Sequence, residues 1–208
     1  LFLANSLHAQ ENVNRYDLRF ESARQSELLV AKLLAPPGAG NLSQQLSQQE
    51  HLQYFDARPI GASSLTEYGS GGDWRQLATA FGTLGGFSYA LDVGYENLNG
   101  QQPNGGAERT QLTLTMKQRV TPDDDLYLQI GYYHADAGDV TSHYDPADAN
   151  IGFNVHEQQE PTLYAGWHHA WSPGNHTLVL FSRLDDSLDY SDPATTNRIF
   201  LHQTNGVP

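Results

Sequence analysis

From Trp74 onward, apolar and polar residues alternate along the chain. In "GFSYALDVGYENL", residues 85–97, Phe87, Tyr89, Leu91, Val93 and Tyr95 take every second position, with Ser88, Ala90, Asp92, Gly94 and Glu96 between them. Alternation of this length predicts a strand with one apolar face and one small or polar face. The period predicts six strands, at about 74–83, 86–97, 108–120, 125–135, 159–171 and 175–185. In the third, Leu112, Leu114 and Met116 oppose Thr113, Thr115 and Lys117. In the fourth, Leu126, Leu128, Ile130 and Tyr132 oppose Tyr127, Gln129, Gly131 and Tyr133. In the fifth, Leu163, Ala165, Trp167 and Trp171 oppose Thr162, Tyr164, Gly166 and His168. The sixth, "TLVLFSRL", could turn either side inward.

Ahead of this region the pattern differs. Residues 15–35, "RYDLRFESARQSELLVAKLLA", predict a helix with Asp17 as N-cap and a stop at "PPG". Residues 39–72 are rich in Gln, Ser and Gly and read as a linker with little regular structure. The expected division is a helical segment at 1–38, a linker at 39–72 and a β-region at 73–208. The opening "LFLANSLHAQ" has no Met, basic start or signal-type apolar core, and the expectation is a piece of a longer protein.

What the two strand faces touch depends on strand length and on the connections. Spanning strands need about 9–11 residues, against about 5–6 for ordinary strands, and the six strands match the longer figure. Short turns at "TLGG", "TPDDD" and "SPGN" alternate with long polar loops at 97–108 and 134–157. That rhythm is the loop pattern of an outer-membrane barrel. Phe87, Tyr89 and Trp171 lie beside short turns, and Tyr95, Tyr132 and Tyr133 beside long loops, as interfacial aromatic girdles require. The fold class expected is mainly β: an antiparallel up-and-down meander of about six long strands, part of a transmembrane barrel, after a short helical segment. Its lipid-facing residues would be Phe87, Tyr89, Leu91, Val93, Tyr95, Leu112, Leu114, Met116, Leu126, Leu128, Ile130, Tyr132, Leu163, Ala165, Trp167 and Trp171. Its lumen-facing residues would be Asp92, Glu96, Lys117, Gln129 and His168.

Composition narrows the partners. Asp plus Glu number 24 against 11 Lys plus Arg, a net charge of −13, which argues against a nucleic-acid partner. The absence of cysteine excludes disulfides and thiolate metal sites. No apolar run approaches the roughly 20 residues of a spanning helix.

Candidate chemistry is sparse. The carboxylates of "TPDDD" read as a solvated turn. The loop carrying Asp136, Asp139, His143, Asp145 and Asp148 lacks the residue order of a calcium loop. His168 and His169 are adjacent on a strand and point to opposite faces. His134, His143 and His156 lie in or beside one loop and could meet, yet no spacing supports a metal site. No nucleophile-elbow, zinc-helix or phosphate-loop motif occurs. A hydrolase reading would rest on His143 with Asp145. The expectation is no catalytic residue, no metal and no cofactor.

The stretches "RFESARQSELLVAKLLAPP", "SLTEYGS" before "GGFSYALDVGYENLNG", and "EPTLYAGWHHAWSPGNHTLVLFSRLDDSLDY" carry a resemblance. The chain resembles bacterial proteins that join periplasmic tetratricopeptide repeats to a C-terminal outer-membrane β-barrel. The resemblance implies the last repeat helix, the linker and the first barrel strands, in the outer membrane of a Gram-negative bacterium with a periplasmic N-terminal segment. It also implies outer-membrane lipid as a partner, periplasmic proteins recruited through the upstream helical repeats, and a polysaccharide or protein cargo. The function expected is a non-enzymatic conduit or anchoring platform. The alternatives are a soluble or surface β-sandwich binding carbohydrate through aromatics, and an outer-membrane barrel hydrolase. One feature departs from the pattern: there is little room for a strand between "SLTEYGS" and Trp74. Six strands with a periplasmic N-terminal segment would place the long loops on the periplasmic side. An additional strand within 50–62, or a linker threaded through the lumen, would restore them to the outside.

Overall fold

The computed structural model describes residue 30 and residues 32–37, 59–140 and 143–193. Most of the helix predicted over 15–35 lies outside the described residues; residues 30 and 32–34 are helical. Seven antiparallel strands form one open sheet in sequence order, an up-and-down meander. They are β1 Gly61–Tyr68, β2 Trp74–Leu84, β3 Phe87–Leu98, β4 Ala107–Arg119, β5 Asp124–Ala137, β6 Asn154–Ser172 and β7 Asn175–Ser191.

An additional strand, β1, does precede Trp74, but it lies at Gly61–Tyr68, overlapping the expected 50–62 only at residues 61–62 and running through "SLTEY" in the stretch read as linker. "GASSLTEY" is small or polar at every position but Leu65 and Tyr68, which fall on opposite faces, so it carries no alternating signal. It is held by its eight-residue pairing with β2, from Gly61 opposite Phe81 to Tyr68 opposite Trp74. With β1 counted, the chain enters the sheet at the end carrying the β2–β3, β4–β5 and β6–β7 turns. The long connections at 99–106 and 138–153 lie at the opposite end with the β1–β2 turn. With seven strands rather than six, the long connections lie at the end of the sheet opposite the start of β1.

The long connections are shorter than the sequence pattern suggests, because β5 and β6 continue past it. β6 runs for 19 residues, and its ladders with β5 and β7 both shift register around Pro161. The cause is that Pro161 has no N–H for the ladder and is accommodated in strands at a bulge. Before the bulge, Val155 and Glu157 share a face; after it, Tyr164, Gly166 and His168 take that face. One inserted residue exchanges the two sides of a strand.

The two long loops are tied together. The Gln102 side chain donates to the Asp139 carbonyl at 2.7 Å, and Asn104 donates to the carbonyls of Asn150 (2.9 Å) and Phe153 (2.7 Å). Asn104 sits at φ 59°, a left-handed conformation that Asn tolerates.

Candidate functional site

Directly opposed residues on neighbouring strands share a face, so the ladders sort the side chains into two surfaces. One surface is protected and rich in polar groups. It carries Thr79, Asp92, Thr113, Thr115, Lys117, Gln129 and His168, all buried, around a small apolar cluster of Phe81, Ala90, Tyr127 and Tyr164 packed with Leu33. The other is apolar and open. None of the sixteen residues expected to face lipid is buried; Leu112, Leu126 and Val93 are exposed, and Trp171 is 65% exposed. Of the five expected lumen residues, Asp92, Lys117, Gln129 and His168 are buried and Glu96 is half-buried on the same side. A soluble sheet places its apolar side inward; here the polar side is the covered one.

Among the described residues, the helical turn at 32–34 packs against this face. Leu33, 1% exposed, packs directly over Gly166, leaving no room there for a β-carbon. Lys117, also 1% exposed, donates its ammonium to the carbonyls of Lys32 (2.6 Å) and Leu33 (2.7 Å) and to that of Ala35. A cation on the free carbonyls at a helix C-terminus satisfies both the orphan acceptors and the helix dipole. Burial holds the Lys32 ammonium below the ordinary lysine pKa range, an effect partly countered by the Asp92 carboxylate.

Polar groups on this face pair with one another. The Thr79 hydroxyl donates to Asp92, and the Tyr127 hydroxyl donates to Gln129 at 2.6 Å. Towards the long loops, Glu67, Arg75, Glu96 and Arg109 form a ladder of alternating charge across β1–β4, with contacts of 3.5, 3.4 and 3.3 Å. Two acids against two guanidiniums leave that rim neutral.

The apolar band on the open face follows a slanted line. Its last apolar residue before polar positions begin is Tyr95 on β3, Leu112 on β4, Tyr132 on β5, Leu163 on β6 and Phe181 on β7. Through the ladders, Leu112 and Tyr132 stand level with Val93, Leu163 with Leu91, and Phe181 with Tyr89. The edge thus descends from position 95 to position 89, six residues over four strands. Beyond it on β7 come Arg183 and Asp185, paired at 3.0 Å. On β1 and β2 the open face includes Ser64, Thr66 and Gln76, which hydrogen-bond together.

Around the short turns, the three carboxylates of "TPDDD" separate. Asp124 accepts from Thr121 (2.6 Å), Trp167 Nε1 (3.0 Å) and the His169 ring (2.7 Å). Asp125 turns to the protected face, near Arg119 (3.3 Å) and His168 (3.6 Å). His168 and His169 point to opposite faces, and His168 meets His176 at 3.0 Å.

His143 and Asp145 have separate partners. The His143 ring bonds Asp139 at 2.7 Å, while Asp145 accepts the Ala147 amide at 2.9 Å and caps the short 3₁₀ turn Pro146–Asp148. His134 and His156 do meet, without His143, and both lie on strands rather than in the loop. Their partner is Asp136, 2.9 Å from His134 and 2.7 Å from His156. The Pro161 bulge hid this constellation from the sequence pattern. Without the shift, Asp136 would face Glu157.

Searches against protein-family models, curated proteins and solved structures find no match to this chain.

Proposed function

We propose that this sheet is part of the wall of an outer-membrane β-barrel in a Gram-negative bacterium, serving without catalysis as a conduit or anchoring platform. The observation that carries the reading is the distribution of polarity: the long apolar rows lie on the open face, while the covered face buries hydroxyls, amides and charges beside a small apolar cluster at Leu33. In hydrocarbon every strand N–H and C=O must pair within the wall, so the β1 and β7 edges would be paired by further strands or by a second copy.

The dimensions support this. On β3 the apolar positions run from Phe87 to Tyr95; nine residues at about 3.3 Å, tilted about 40°, cover about 23 Å, close to the usual lipid-facing band. The slant supports it independently. Strands about 4.8 Å apart and tilted about 40° climb about 3.1 Å per strand, and four strands climb about 12 Å, or about five residues. A flat lipid layer cutting a tilted sheet therefore produces an edge like the observed six-residue descent. This also places Arg183 and Asp185 outside the band.

In this reading the N-terminal segment and short turns face the periplasm and the long loops face outward. The helical turn held by Lys117 occupies the lumen from the periplasmic side. The tetratricopeptide-repeat resemblance would supply periplasmic partners through that segment. The neutral rim of Glu67, Arg75, Glu96 and Arg109, together with the surrounding acids, favours a neutral or cationic polymer, polysaccharide or protein, over a polyanion.

Topology is testable in whole cells. Gln101→Cys and Tyr144→Cys should react with a membrane-impermeant maleimide, and Asp123→Cys, in the β4–β5 turn, should not. Labelling of Asp123→Cys alone would invert the orientation.

A further inference from the structure

Three side chains on the open face of the sheet form a metal-ligand set. His134 and Asp136 are two residues apart on β5 and therefore share a face. His156 on β6 is the direct cross-strand partner of Asp136. The donor atoms of the three residues all lie within 4.8 Å of one another. The rings of His134 and His156 meet edge to face, 5.0 Å apart.

We infer that His134, Asp136 and His156 bind a divalent transition-metal ion with a preference for imidazole, of the zinc class, on the open face of the sheet beside the long loops.

The chemistry follows from the ligands. Two neutral imidazoles and one carboxylate suit zinc, nickel or copper rather than calcium or magnesium, which favour all-oxygen shells. An ion about 2.1 Å from each donor would set neighbouring donors about 3.4 Å apart in a tetrahedron. The carboxylate contacts of 2.9 and 2.7 Å would lengthen by roughly half an ångström, a movement that half-buried side chains can make. Three protein ligands leave a position for water or an outside oxygen ligand. His134 reaches Asp136 through Nε2, while its Nδ1 is buried without a hydrogen-bond partner. Glu108 stands opposite Asp136 and Asp189 opposite His156, adding negative charge around the site. Asp136 and Glu108 also line an open cleft of about 590 Å³ beside the long loops.

The backbone supports the assignment. Paired strands hold the three Cα atoms, and the Pro161 bulge brings His156 to the same side as Asp136. The site stands on this geometry alone and does not depend on the barrel reading.

The test is titration of the full-length chain, stripped with chelator and held in detergent micelles, with zinc alone, followed by calorimetry. One ion per chain is expected. His134→Ala and His156→Ala should each weaken binding roughly tenfold or more, and His143→Ala should leave it unchanged. In the unaltered chain, imidazole nitrogen NMR should show zinc shifting His134 and His156 and no other histidine; this readout does not depend on the variants folding. No binding, binding unaffected by His156→Ala, or shifts confined to other histidines would overturn the site and show the trio to be hydrogen-bonded only.

Discussion

Replacing Lys117 with Met should free the segment seated on the protected face. In the native protein the Lys117 ammonium donates to three carbonyls at the end of a helical turn, and both Lys117 and Leu33 are 1% exposed. Hydrogen bonds to a charged group contribute about 1.5–3 kcal/mol each, while burying the ammonium costs several kcal/mol. The net loss should be about 3 kcal/mol, within reach of the values measured when one partner of a buried polar set is removed. At about 1.4 kcal/mol per factor of ten, the released population rises about a hundredfold. Trypsin reads this directly, because the Lys32–Leu33 bond is cleavable only when the segment leaves the sheet. With fast reseating, the cleavage rate follows the released population. Lys117→Met should therefore be cut after Lys32 about a hundred times faster than the parent, with Gln118→Met, on the open face, as an unchanged control. Equal rates for Lys117→Met and the parent would refute the claim that this lysine holds the segment.

Other expectations follow from the same geometry. Leu114→Arg, at mid-height on the apolar band, should destabilise the protein in a bilayer by about 2–4 kcal/mol in denaturant titration, whereas a water-facing Leu114 would show almost no change. The register predicts that Asp136→Cys with His156→Cys forms a disulfide, and that Asp136→Cys with Glu157→Cys does not; the reverse would remove the bulge from β6. Reconstituted in liposomes, Leu33→Ala should pass small neutral sugars faster than the parent, and equal leakage would show that the segment does not occlude the lumen.

The parts of this fold legible in the sequence are those where side-chain chemistry alternates strongly. β3, β4 and β5 place large apolar residues against Thr, Gln, Lys and Gly, so both the strands and their two faces can be read directly. β1 could not be read that way, because Ala62, Ser63, Ser64 and Thr66 are small or polar on either side and the strand exists through its partner. The start of β6 was hidden because Pro161 exchanges the faces midway, so the alternation looks broken where the backbone is continuous. The same shift concealed the meeting of His156 with Asp136. Lys117 lies 84 residues from Leu33, whose carbonyl it binds, and no local spacing could announce that contact.

The medium that meets the row from Phe87 to Tyr95 decides between a membrane wall and a soluble sheet. The chain has no cysteine, so a spin label can be placed at each position from 87 to 95 in turn and its accessibility read in lipid bilayers. Oxygen, which concentrates in hydrocarbon, should relax labels at 87, 89, 91, 93 and 95 strongly and those at 88, 90, 92 and 94 weakly. A row in which the odd positions are shielded from oxygen and from a water-soluble relaxant alike would mean that protein, not lipid, covers them, and would contradict the account.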